Sequence, residues 1–147
     1  MVLIIAAAFA AGLFAGAAIY VNAVEHPARV SCGTELAIRE FAPSYKRGAI
    51  MQASLALLGC VAGIIGGWQH DDTAVVVAGL LLGSVVPFTL LVIFPTNKRL
   101  LDPTLKPGGA EATYLLARWG RLHAVRSFSA SVAFLIFLAR IAKLGAL

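Results

Sequence analysis

From Val2 to Val24 the chain carries no charged side chain. A run of that length matches the roughly 20 apolar residues that cross a bilayer core as a helix. Three more predominantly apolar runs follow at Gly48–Trp68, Thr73–Phe94 and Leu122–Leu144, the last carrying Arg126 and, near its end, Arg140 and Lys143. Lipid offers no hydrogen bonds to the backbone, so such runs must close their own as helices. The expectation is an all-α, integral membrane four-helix bundle, one membrane domain over residues 1–147 with spans near 2–24, 48–68, 73–94 and 122–144. Composition agrees: 60% of residues are hydrophobic and 13% charged, against about a quarter charged in a globular chain. The small residues of "AAGLFAGA" suggest a cleavable signal, but no basic stretch precedes them. The apolar part also exceeds the usual run of about 7–15 residues, so the first run reads as a retained helix.

The connections set the topology. Residues 25–47 and 95–121 together hold nine Lys and Arg, whereas "QHDD" at 69–72 has none and Arg140 and Lys143 lie near the other end. By the positive-inside rule the first and third connections are cytoplasmic and both termini lie outside, as in a bacterial inner membrane. The net charge of +5 is thereby a membrane-flank signal, and nucleic acid is excluded as a partner in favour of the lipid bilayer. The four-residue QHDD turn makes helices two and three an antiparallel hairpin. In the first connection, "GTELAIREFA" reads as a short interfacial amphipathic helix stopped by Pro43. After Pro107, Gly108 and Gly109 no proline interrupts the chain, so the fourth helix extends into the cytoplasm before it enters the bilayer. Pro87 is expected to kink the third helix. GxxxG spacings at Gly12–Gly16, Gly59–Gly63–Gly67 and Gly79–Gly83 suit close helix packing, including homo-oligomer contacts. Cys32 and Cys60 form no CxxC, which leaves membrane thiol–disulfide exchange without its working pair and both thiols inert.

Against this apolar background four segments place polar groups at the cytoplasmic end. The first helix ends in "NAVEHP", with Asn22 on the face of Glu25 and His26. Tyr45, Gly48 and Gln52 share a face at the start of the second span, "FPTNKRL" brings Thr96 and Asn97, and "RWGRLHAVR" sets Trp119, His123 and Arg126 on one stripe extended by Ser127. Singly, each has a bland reading: Tyr45 and Trp119 as interface anchors, Arg126 snorkelling to headgroups, Glu25 paired with some arginine. Jointly, so many polar groups at one depth point to a pocket, since intramembrane polar groups are costly and face the interior. Glu25–Arg126 is the expected ion pair, and His123 the expected proton acceptor, positioned by Glu25 or Asn22. His26, His123 and Glu25 are also the donor types of a 2-His-1-carboxylate metal set, and two histidines on different helices suit axial haem ligation. No HExxH or ExxH spacing accompanies them, and no phosphate loop, Walker motif or nucleophile elbow occurs.

In that order, "NAVEHP", "YKRG" with Gln52 after it, "FPTNKRL" and "RWGRLHAVR" resemble a family of small four-helix membrane proteins. That family includes the anthrone oxygenases of polyketide pathways and many bacterial members of unknown role. The W-x-x-x-H-x-x-R element at Trp119, His123 and Arg126 is the most specific part. The resemblance implies O₂-dependent oxidation of an anthrone carbon to a quinone, with no organic cofactor. His123 or His26 would be the base, and Arg126, Asn97 or Gln52 would stabilise the enolate. Asn22, Tyr45 and Trp119 join Gln52 and Asn97 as substrate-binding residues for a lipophilic, aromatic or quinone-like molecule. Two other functions compete. A small-molecule transporter wants an ionisable group near mid-bilayer, and no acid lies there. A non-catalytic lipid-binding or assembly protein would turn the polar groups outward.

Overall fold

The computed structural model describes residues 1–144, and among them there is no strand. Four helices are long and apolar enough to cross a membrane: α1 (Val2–Ser31), α2 (Thr34–Gln69), α3 (Thr73–Leu100) and α4 (Ala110–Leu144). Many large apolar side chains point outward, among them Leu91, 77% exposed, and Phe128, 72% exposed. That arrangement suits a chain whose solvent is hydrocarbon, and the fold is an integral membrane four-helix bundle.

The hairpin of α2 and α3 is built on glycine. A Cβ on Gly63 would stand 3.0 Å from the Cα of Gly79 and 2.9 Å from the Phe137 ring. One on Gly79 would stand 3.0 Å from the Cys60 carbonyl oxygen. Backbones that approach so closely exclude any side chain between them. The α2 and α3 GxxxG glycines are thus spent within the chain, and Gly12 of α1 lies against Phe134; a Cβ on Gly16 would meet nothing within 4 Å. Around this seam a core of small and medium residues, including Ile4, Ala7, Ala11, Phe14, Val75, Ala78 and Phe137, fills the half of the bundle nearer the QHDD turn. Asp72 closes that turn. Its Oδ1 accepts from the amides of Ala74 and Val75, which caps α3, and its Oδ2 takes Nε of Arg140 at 2.7 Å, which ties α4 to the hairpin. Asp72→Ala is expected to cost about 1–2 kcal/mol, mostly as a lost N-cap, read as an earlier transition when the protein is heated in mild detergent.

At the opposite end the helices run on beyond their apolar stretches. The first three spans were expected to stop or start near residues 24, 48 and 94, yet α1 reaches Ser31, α2 begins at Thr34 and α3 ends at Leu100. The interfacial helix expected to stop at Pro43 is instead the first part of α2. Proline costs a helix one hydrogen bond and a clash, but the helix here is held on either side of it. Ala37 and Phe41 are fully buried before Pro43, and Tyr45 after it stacks on Phe41 at 5.6 Å between ring centroids. These residues join Ile93, Leu100, Leu105, Leu115, Leu116 and Trp119 in a second core beneath the loop that joins α3 to α4. Across that loop Arg99, in the last turn of α3, pairs with Asp102 at 2.9 Å and with Glu111 of α4 at 2.7 Å. Thr104, and after it Arg99, hold the Asp102 carboxyl below its ordinary value. The expected long fourth helix is present and unbroken from Ala110.

Two helices are not regular. α1 widens into a π-turn at Val21–Glu25 and α3 into another at Thr89–Ile93. Each is followed at once by an X-Pro pair, His26–Pro27 and Phe94–Pro95. Proline lacks the amide hydrogen for the turn before it, and its ring crowds the carbonyl four residues back. A wider turn relieves both problems. The disturbance expected at Pro87 is also present, as a break in the helix at Ser84. The Ser84 and Thr89 hydroxyls donate to the carbonyls of Leu81 and Val85, at 2.7 and 2.6 Å.

Candidate functional site

Between the two cores lies a cavity of about 180 Å³. Seven of the residues singled out from sequence line it: Tyr45, Gly48, Gln52, Asn97, Trp119, His123 and Arg126. They come from α2, α3 and α4, and the stripe on α4 faces inward as its spacing required. His123 is 3% exposed and Asn97 1%.

Asn22 stands behind His123, and it fixes the state of that ring. The Asn22 amide nitrogen donates to the Gly120 carbonyl at 2.9 Å, so its Oδ1 is the acceptor end. That oxygen takes the Ser127 hydroxyl at 2.6 Å and His123 Nδ1 at 2.8 Å. An oxygen can only accept, so Nδ1 must carry hydrogen, and in neutral imidazole Nε2 is then the bare base. Nε2 makes no hydrogen bond among the described residues. The π-turn of α1 brings Asn22 to this place.

Arg126 does not pair with Glu25. Its Nη2 donates to Gln52 Oε1 at 2.7 Å, its Cζ lies 5.4 Å from the centroid of the Phe14 ring, and Nε is buried without a partner. The expected ion pair fails because a nearer cation claims the carboxylate. Arg29, one helical turn beyond Glu25, bonds it, and Ser44 donates to the same oxygen at 2.9 Å. Arg29 Nε also lies 2.9 Å from Glu40 Oε2. Two carboxylates therefore meet Arg29, while among the described residues none meets Arg126. Among the described residues, therefore, the cavity holds one cation without a carboxylate, Arg126. A buried charge in that condition calls for an anionic partner. Asn97 adds to the demand, since both polar atoms of its side chain are buried and unpartnered.

His26 and Glu25 stand outside the cavity lining. His26 Nε2 donates to the Leu116 carbonyl at 3.1 Å, and the ring sits over Gly120, where a Cβ would come within 2.9 Å of it. Both histidines lie against Trp119, with centroid separations of 5.1 Å for His26 and 4.8 Å for His123. The conceivable metal set does not gather: among the described residues no three His, Cys, Asp or Glu side chains converge in a manner that suits an ion. Arg29 and Ser44 line the cavity unforeseen. The i,i+4 spacing of Glu25 and Arg29 was the signal for the first; nothing in the sequence marked the second.

The fold and cavity define a small integral membrane protein that keeps an oriented imidazole together with a guanidinium that, among the described residues, meets no carboxylate, inside an apolar bundle. The family model described as "Anthrone oxygenase" matches residues 41–136, and the chain belongs to that family. It is 31% identical over 137 residues to the anthrone oxygenase tpcL of Aspergillus fumigatus, an alignment covering 84% of this chain and 81% of that one. No solved structure matches the chain. An oxygenase-like role is thus given at the level of the family.

Proposed function

We propose that the protein is a membrane oxygenase that oxidises the activated methylene of an anthrone-like, lipophilic aromatic molecule to a quinone carbonyl. The observation that carries this reading is the pairing of a bare His123 Nε2 with an Arg126 that has no carboxylate of its own. His123 takes a proton from the methylene carbon. The resulting enolate oxygen is stabilised by Arg126, with Gln52 holding that guanidinium and Asn97 offering its amide. The electron-rich anion reacts with O₂ at carbon to give a hydroperoxide, which loses water as the O–O bond breaks and leaves the carbonyl. The sum is R₂CH₂ + O₂ → R₂C=O + H₂O, with no further reductant. Trp119, Phe14 and Tyr45 form the walls against flat rings. In this reading the protein sits in a bacterial inner membrane with the α3–α4 loop and the cavity end toward the cytoplasm and both termini outside.

The test is oxygen uptake by the protein in lipid nanodiscs given 1,8-dihydroxyanthrone under ¹⁸O₂. One ¹⁸O in the new carbonyl of the quinone, formed well above the rate of protein-free discs, is the expected result. Arg126→Met should lower the rate about 10²-fold, the usual worth of one stabilising donor to an oxyanion. No enhancement over empty discs would overturn the proposal.

A further inference from the structure

Gly48 differs from the other glycines of α2. Where a Cβ would stand, Gly59, Gly63, Gly66 and Gly67 meet neighbours at 2.4, 2.9, 3.0 and 2.5 Å. A Cβ on Gly48 would meet nothing within 4 Å. Glycine inside a helix costs about 0.5–1 kcal/mol relative to alanine, and no close helix contact explains it here. Gly48 lies on the cavity wall beside Ala49 and Ala53, and Val86, Thr89 and Leu90 of α3 line the same cavity. The two helices pack tightly from Gly59 to the QHDD turn, still touch at Val85–Phe88, and lose close contact beyond Phe88. The gap is not covered by protein on its outer side: Leu90, which lines the cavity, is also 61% exposed. Along α2, Gly48 stands about 32 Å from Gln69 at roughly 1.5 Å per residue, close to one hydrocarbon thickness. That depth is the acyl–headgroup boundary, and the exposed Lys46 and Arg47 lie just beyond it.

The loop end, in contrast, is shut. Arg29 is bound to Glu25, Ser44 and Glu40 across α1 and α2, and Phe41 stacks on Tyr45. Leu100, Leu105 and Leu116 seal the space beside them. We infer that the cavity is loaded sideways from the bilayer, through an opening between α2 and α3 framed by Gly48 and Leu90. The ligand is a flat, lipid-partitioning hydroxy-aromatic molecule that passes edge-on and brings its ionisable oxygen to the unpartnered Asn97 amide and to the Arg126 guanidinium, whose Nε has no partner. The identity of the ligand rests on the proposed function; the opening does not.

The experiment uses Trp68→Phe, which leaves Trp119 in the cavity as the sole tryptophan. The protein in vesicles is mixed with 1,8-dihydroxyanthraquinone, and Trp119 quenching is followed by stopped flow. Adding Gly48→Leu puts a side chain into open space, so the fold is kept and the opening narrowed. Quenching is then expected to slow about tenfold, as when association must wait for a gate, while Gly48→Ala stays near the parent rate. Equal rates for the parent and Gly48→Leu would overturn the opening. Failure of the quinone to quench the parent at all would count against the proposed function alone. The opening is then read with phospholipid brominated in its acyl chains, which should quench Trp119 in the parent and markedly less in Gly48→Leu. Equal lipid quenching in the two proteins would overturn it.

Discussion

His123→Ala is expected to lower anthrone-dependent oxygen uptake by about 10²–10⁴-fold, the usual range for loss of a positioned general base. His123→Gln, which keeps bulk and can still hydrogen-bond Asn22 Oδ1 but offers no basic nitrogen, should be equally inactive. Both should keep the helical circular dichroism and detergent elution position of the parent, because the ring faces a cavity wall and bonds only Asn22. Asn22→Ala separates the base from its orientation. Without Oδ1 to accept from Nδ1, the tautomer that leaves Nε2 bare is no longer enforced, and a smaller loss of about tenfold is the expectation. Uptake at the parent rate by the two His123 variants would remove the imidazole from the chemistry.

The largest effect on stability is expected at the α2–α3 seam. Gly63→Leu must place four carbon atoms where even the first would stand 3.0 Å from the backbone of Gly79. Neither helix can yield locally, since Gly79 in turn faces the backbone of α2 near Cys60 and Ile64. Overpacking of this kind costs about 3 kcal/mol, the upper part of its ordinary range. Unfolding in dodecyl sulfate titrations should begin at a clearly lower detergent fraction than for the parent. An unchanged midpoint would mean that α2 and α3 do not approach as described.

Much of this architecture was legible in the chain. Apolar runs near 20 residues gave the four helices, the four-residue QHDD turn gave the hairpin, and the spacing of Trp119, His123 and Arg126 gave the inward stripe of α4. The helix ends were less legible, because hydropathy marks where lipid stops and the chain stays helical beyond it. Pro43 illustrates the point: a local breaker was outweighed by Ala37, Phe41 and Tyr45 packing on both sides of it. The expected partner of Arg126 is wrong because Arg29, one turn on along α1, stands nearer to Glu25. The π-turn delivers Asn22 to His123 and His26 to Trp119, and leaves Glu25 to Arg29. The sign of that irregularity was present in the two X-Pro pairs. What no pattern displayed was that, among the described residues, no carboxylate reaches Arg126, which depends on where three helices meet.

The paired π-turns have a consequence for how chains of this family compare with one another. Each accommodates one residue more than an α-helical turn, and one residue is worth about 100° of helical rotation. A relative without the proline after a span has no cause to keep the extra residue, and can present the same side chains to the cavity one position shorter. Gaps inside membrane helices are ordinarily taken as alignment errors. Here a single-residue gap near Ala23 or Leu91 is where the geometry permits relatives to differ in length while the imidazole keeps its partner.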